Sequence, residues 1–177
     1  ILASLAENLT GLGFTDLARE VYRALIVKFP KEDLFKVYLA EILLNDGDED
    51  DGLSLVYSVS HDSSAYLDSL LVQADSYQTS GLIETAKDKL LQALKIAPEE
   101  DAVKFGLAEL DYLSGDYEQA LALYKDLVQR QETFGEVNLN QRLFATNAKM
   151  GNYEQAAEII RKRSDSIFDI DSKYEAG

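Results

Sequence analysis

Gly115-Asp116-Tyr117-Glu118-Gln119-Ala120 and Gly151-Asn152-Tyr153-Glu154-Gln155-Ala156 are near copies of one short segment. Each reads as a turn between helices. The glycine can take the left-handed backbone that ends a helix, the polar residue after it can cap the next, and the glutamate adds negative charge at that helix's start. The same register extends outward over the whole chain. Glycines recur at Gly13, Gly47, Gly81, Gly115 and Gly151, at spacings of 34, 34, 34 and 36. Five positions after each stands a small residue: Ala18, Gly52, Ala86, Ala120 and Ala156. Seven positions before stand Ala6, Ala40, Ala74 and Ala108, with Phe144 in the fifth row. Nine positions after stand Tyr22, Val56, Leu90, Tyr124 and Ile160. Four columns in one register identify an internal repeat.

The unit itself follows from helix chemistry. Ala102 to Leu113 reads as one helix, ended by Gly115. Tyr117 to Arg130 reads as a second, with Ala120, Leu123, Tyr124, Leu127 and Val128 on one stripe. Small side chains at Ala108 and Ala120 let the two backbones approach, and Leu107, Tyr124 and Leu127 fill the space around that contact. The unit is an αα-hairpin, repeated five times.

Composition bounds the function. The 177 residues carry a net charge of −15, which repels phosphate backbones and anionic lipid headgroups. No nucleic-acid or membrane partner is expected. There is no cysteine, so disulfides, thiolate metal sites and a cysteine nucleophile are excluded. A single histidine, His61, excludes a multi-histidine metal centre. Apolar runs such as Ala24-Leu25-Ile26-Val27 are too short to span a bilayer. No Gly-rich phosphate loop and no nucleophile beside a positioned base occurs. The expectation is a protein that is not an enzyme and uses no cofactor or metal. The chain starts at Ile1, and the simplest expectation is a segment of a longer protein.

The pattern resembles the tetratricopeptide repeat, a helix–turn–helix of 34 residues. Leu67–Pro98 carries it most clearly, with Ala74, Tyr77, Gly81, Ala86, Ala93 and Pro98 at the family's spacings. The first two units depart from it: Gly52 replaces an alanine, Ser64 replaces the terminal proline, and the family's early tryptophan is missing throughout. The resemblance implies an all-α fold, a right-handed α-solenoid of antiparallel helix hairpins. Its repeats are expected at about 1–32, 33–66, 67–100, 101–136 and 137–170, in one array over 1–177. Residues 171–177 are expected to begin a sixth unit or a capping helix, with Ile167, Phe168, Ile170 and Tyr174 covering the last hairpin. The segment from Val137 to Leu143, after a two-residue insertion near Thr133–Glu136, is similar to one in cytoplasmic repeat proteins of low-GC Gram-positive bacteria. That likeness implies a bacterial, cytoplasmic protein.

The resemblance also implies where function sits. First helices of successive units line a concave surface, so a partner reads columns of side chains. The ninth column is Glu7, Glu41, Asp75, Glu109 and Ala145. Val37, Tyr38, Leu71, Phe105 and Tyr112 stand beside it, and the fifth unit reverses sign with Arg142 and Lys149. The expected function is a scaffold that binds a protein or peptide segment, cationic and partly apolar, in the groove. Tyr38, Phe105 and Tyr112 are the expected anchors. A peptide-sensing regulatory module of a longer chain and a self-assembly module, a homo-oligomer joined through solenoid ends, stand as alternatives. The carboxylate clamp of some family members is not expected, because its positions here hold Ala3, Glu7, Leu71 and Val72, none of them basic.

Three further motifs carry little. Asn45 to Asp51 has acids at alternate positions, as in a calcium loop, but Asp51 stands where the loop glycine belongs and Tyr57 where the bidentate glutamate belongs. Asn8-Leu9-Thr10 matches a glycosylation acceptor inside a helical stretch. His61 reads as a loop histidine among Ser60, Asp62, Ser63 and Ser64.

Overall fold

A computed structural model describes residues 2–161. The chain divides between Pro98 and Glu99 into two compact units. The expected sixth-unit start and the apolar tail residues Ile167, Phe168, Ile170 and Tyr174 lie outside the described residues.

The first unit holds three hairpins: α1 (Leu2–Gly11) with α2 (Thr15–Lys28), α3 (Leu34–Asn45) with α4 (Glu49–Tyr57), and α5 (Tyr66–Thr79) with α6 (Ile83–Ile96). The second holds α7 (Asp101–Ser114) with α8 (Tyr117–Val128), a two-stranded hairpin β1 (Thr133–Phe134) and β2 (Val137–Asn138), then α9 (Leu139–Lys149). A further helix over 153–161 runs to the end of the described residues.

The first four hairpins close where the two columns of small residues meet. Ala6, Ala18, Ala40, Ala86, Ala108 and Ala120 are all fully buried. Larger apolar side chains pack around these contacts: Tyr22, Leu25, Leu39 and Leu43 in the first unit, and Tyr124, Leu127, Leu139 and Leu143 in the second. The turn after α7 shows why the glycine is required. Gly115 takes φ 89°, which frees the Asp116 N–H to reach back to the Asp111 carbonyl at 2.8 Å. The other four repeat glycines take positive φ as well.

Asp116 departs from its expected role. It occupies the N-cap position of α8, but its side chain makes no capping bond and instead accepts the Ser114 hydroxyl at 3.3 Å. With ψ at 57° it lies outside the extended region from which a cap side chain normally reaches the free amides. Asn138, at ψ 114°, is in that region, and its side chain accepts the Gln141 N–H at 3.1 Å.

The strand pair is the departure from an all-helical chain. Thr133 faces Asn138 and Phe134 faces Val137 across a two-residue loop, with Gly135 at φ 55°. It occupies the two-residue insertion and lays the Phe134 ring on Phe105, centroids 4.4 Å apart and planes within 20°.

Gly52 also has a packing reason. A Cβ added there would stand 2.6 Å from Leu44 Cγ and 3.2 Å from the Ala40 carbonyl oxygen. Leu44 fills the space that an alanine methyl takes in the neighbouring hairpins.

The Asn45–Asp51 stretch forms the α3–α4 turn, where Asp46 and Asp48 pair with Arg19 at 3.1 and 3.2 Å. His61 packs on Tyr66, centroids 4.5 Å apart. Thr10 lies in α1 and donates its hydroxyl to the Ala6 carbonyl at 3.0 Å.

Candidate functional site: the inner rows of the two units

In the first unit, the 34-residue period sets Glu7, Glu41 and Asp75 at equivalent positions of α1, α3 and α5. They border two adjoining concavities. One, of about 230 Å³, is lined by Glu7, Thr10, Gly11, Tyr22, Tyr38 and Glu41. The next, of about 310 Å³, is lined by Glu41, Leu44, Asn45, Leu71, Val72 and Asp75. Glu41 is the wall common to both. Leucine and valine side chains line the larger and two tyrosines the smaller, each together with two carboxylates, and no basic side chain among the described residues lines either.

The electrostatics of this row are uncompensated. Glu7, Glu41 and Asp75 make no ion pair among the described residues. The Glu41 side chain reaches solvent, yet protein surrounds it on both sides of the concave face. That crowding, with the charges of Asp68 and Asp75, lifts its carboxyl above the ordinary glutamate value. Tyr38 is raised by burial and then by Glu7, Asp68 and Glu41. Burial, followed by the charge of Glu7, pushes Tyr22 up to about 12. The Tyr22 and Tyr38 rings lie 5.6 Å apart.

The second unit treats the same column differently. Glu109 accepts the Tyr124 hydroxyl at 2.6 Å on one oxygen and the Arg142 guanidinium at 2.7 Å on the other. Burial, and then that hydrogen bond, drives the Tyr124 phenol well above its ordinary range. Arg142 also lies over the Tyr112 ring at 5.9 Å, and Tyr112 meets Tyr117 edge-on at 5.6 Å. Phe105 is half-buried beneath Phe134. Lys149 is exposed near the end of α9, and Ala145 takes the ninth-column place in that helix.

The structure therefore gathers Glu7, Tyr38, Glu41 and Asp75 around the concavities of one unit. It gathers Glu109, Tyr112 and Arg142 into a bonded network in the other. Two participants were not singled out from sequence. Asp68 adds to the negative field at Glu41, and Val72 lines the larger concavity. A signal for the second existed. The residue 31 positions after a ninth-column acid, or 33 across the insertion, is Tyr38 for Glu7, Val72 for Glu41, Gly106 for Asp75 and Arg142 for Glu109. That column decides whether the acid has a partner.

The described residues form a helical-repeat fold whose inner rows mix apolar and charged side chains. Two family models match, one described as tetratricopeptide repeat over residues 4–64 and one as YpiA-like, tetratricopeptide repeats, over residues 78–132. The chain belongs to the tetratricopeptide repeat family, whose members serve as protein-interaction scaffolds. It is 32% identical over 137 residues to the TPR repeat-containing protein YpiA of Bacillus subtilis (strain 168). The match takes in 77% of this chain and 32% of YpiA, so the chain spans about a third of the length of that curated relative.

Among solved structures, the type IV pilus biogenesis factor PilW superposes with a TM-score of 0.78 at 17% identity, over 91% of this chain and 74% of PilW. MamA superposes at 0.73 with 12% identity, over 94% and 96% of the two chains. A thermophilic TPR protein of Thermus thermophilus gives 0.68 at 19%, over 98% and 95%. At these identities the likeness is one of fold, and the fold is the tetratricopeptide solenoid. Among the described residues no helix is long and apolar enough to cross a membrane.

Proposed function

We propose that this chain is a non-enzymatic scaffold whose inner face, in the unit that ends at Pro98, holds a cationic and partly apolar segment of another protein. One observation carries the reading. Glu7, Glu41 and Asp75 line concavities with no cation among the described residues, whereas Asp46, Asp48, Glu99, Asp126 and Glu109 are all in ion pairs. Like charges held close together on a concave surface raise the energy of the free protein. A basic ligand removes that penalty as it binds, and its approach is accelerated by the same field. Tyr38 supplies an aromatic wall for an apolar neighbour of the basic residue. In the second unit, the same reading assigns Arg142 and Tyr112 to the rim and Phe105 to support beneath the β-hairpin.

The test is capture from a bacterial lysate at low and high salt, with a Glu41→Lys/Asp75→Lys double variant as the control bait. A partner held by the native chain, released by salt and missing from the control supports the groove. A partner held equally by both baits at both salt concentrations defeats it.

A further inference from the structure

The larger concavity has the chemistry of a side-chain pocket. Leu44, Leu71 and the largely buried Val72 line it, together with Glu41 of α3, Asp75 of α5 and Asn45 at the end of α3. Its volume of about 310 Å³ lies at the bottom of the range for ligand cavities, room for one long side chain and water. We infer that this pocket is an arginine-specific anchor point, in which the three-carbon stem lies on Leu71 and Val72 and the guanidinium bridges Glu41 and Asp75. The inference rests on the groove reading above and narrows it to one residue type at one place.

Geometry favours arginine over lysine. Glu41 on α3 and Asp75 on α5 line one concavity from two helices, and packed helix axes lie about 8–10 Å apart, so a ligand group has to span both to meet both carboxylates. A planar guanidinium has five donors spread over a rigid fork, and it can serve two carboxylates and the Asn45 amide oxygen together. An ammonium is a compact, strongly hydrated point charge and serves one carboxylate well at the expense of the other. The apolar floor suits a methylene stem and gives no partner to a short polar side chain. The second concavity, beyond Glu41, has Tyr22 and Tyr38 in its lining and takes the neighbouring ligand residue.

The experiment uses the whole chain and a defined probe, N-acetyl-arginine N-methylamide, followed by backbone amide shifts. The lysine and citrulline analogues run in parallel. The expected result is a saturable shift at residues 41–45 and 71–75, at least fivefold weaker for lysine and lost for citrulline, which keeps the shape and drops the charge. Glu41→Gln and Asp75→Asn each weaken the arginine probe at least fivefold, and circular dichroism checks that both stay folded. Equal lysine and arginine binding, retained citrulline binding, or no saturable shift overturns the pocket. Arginine shifts centred on Tyr22 and Tyr38 also overturn it, while leaving an acidic groove standing. If no basic peptide binds the chain at all, the groove reading falls with it.

Discussion

Glu41 and Glu109 hold the same place in the repeat, one in each compact unit, and they live under opposite electrostatic conditions. Glu109 is wired to Tyr124 and Arg142 and has both oxygens satisfied. Glu41 feels the charges of Asp68 and Asp75 beside Leu44, Leu71 and Val72, and makes no ion pair among the described residues. The difference comes from one column. Where Glu109 bonds Arg142, the residue at the equivalent place for Glu41 is Val72, which lines the same concavity. A repeat protein can thus turn one position from a structural bond into an unspent charge by changing a single residue in the next hairpin. Position in the repeat tells where a side chain points, and its neighbours tell what it is free to do.

The largest effect that breaks this comparison is on stability. Glu109→Ala strands the buried Tyr124 hydroxyl and the Arg142 guanidinium together. The cost is about 2–3 kcal/mol in chemical denaturation, below the full figure for a buried pair because Arg142 is partly exposed. Glu41→Ala in the other unit costs little. Equal losses at the two sites would show that the column is structural throughout.

Next in size is the conversion of one unit into the other. Val72→Arg puts beside Glu41 the residue that Glu109 already has. Binding of a basic peptide should fall about tenfold, or about 1.4 kcal/mol; because Val72 is buried against Val37, Ala40 and Val56, the variant also loses stability, and affinity is compared where circular dichroism shows it folded. Unchanged affinity in isothermal titration would mean that the charge of Glu41 is not what the ligand reads.

Gly52→Ala sharpens the comparison inside the first unit. The added methyl meets Leu44, so the change should destabilise by about 1–2 kcal/mol, although alanine is the residue the repeat prefers at that place. Pairing it with Leu44→Ala should recover part of the loss, which a double-mutant cycle measures.

The smallest effect is in pH dependence, where two carboxylates of one hairpin have opposite signs. Glu41 is raised above 4.5, so the folded chain holds that proton more tightly than the unfolded chain does. Its contribution to stability therefore falls as pH rises through that window. Glu41→Gln should raise the melting temperature by about 1–2 °C at neutral pH, and the gain should vanish near pH 4 or below. Asp33 behaves in reverse. Burial pushes its carboxyl up, but Lys36 at 2.6 Å and the Ser60 N–H at 3.1 Å outweigh that and hold it low. Its contribution is present above the ordinary aspartate value and lost as pH falls through the depressed one. Asp33→Asn should therefore cost stability at neutral pH and progressively less in acid.

Much of the fold was legible because the repeat wrote it several times. The glycine column marks the turns, and the two columns of small residues mark the helix contacts, since only a small side chain fits where two backbones approach. The β-hairpin was not legible. Four residues of strand have no periodicity to read, and the insertion that contains them occurs once. Asp33 was missed for a related reason: its partner Ser60 lies 27 residues away and offers a backbone N–H, which leaves no mark in side-chain chemistry. Asp116 was misjudged because a cap depends on a backbone angle as well as on residue type.

The candidate site divides along the same line. Periodicity alone put Glu7, Glu41, Asp75 and Glu109 in one column. It did not separate the three free carboxylates from the bonded one, because pairing depends on distances between hairpins. It placed Phe105 and Tyr112 beside the row as anchors, and packing put Phe105 under Phe134 and Tyr112 under Arg142.

What the sequence by itself determined is therefore the repeating unit: where helices start and stop, which faces meet, and which columns line the inner face. These follow from local rules of backbone conformation and side-chain size, and each rule acts within a few residues. What only the tertiary structure decided is the state of each charge and the shape of each cavity. Those depend on side chains brought together from different hairpins, where a few ångströms separate an ion pair from an open pocket.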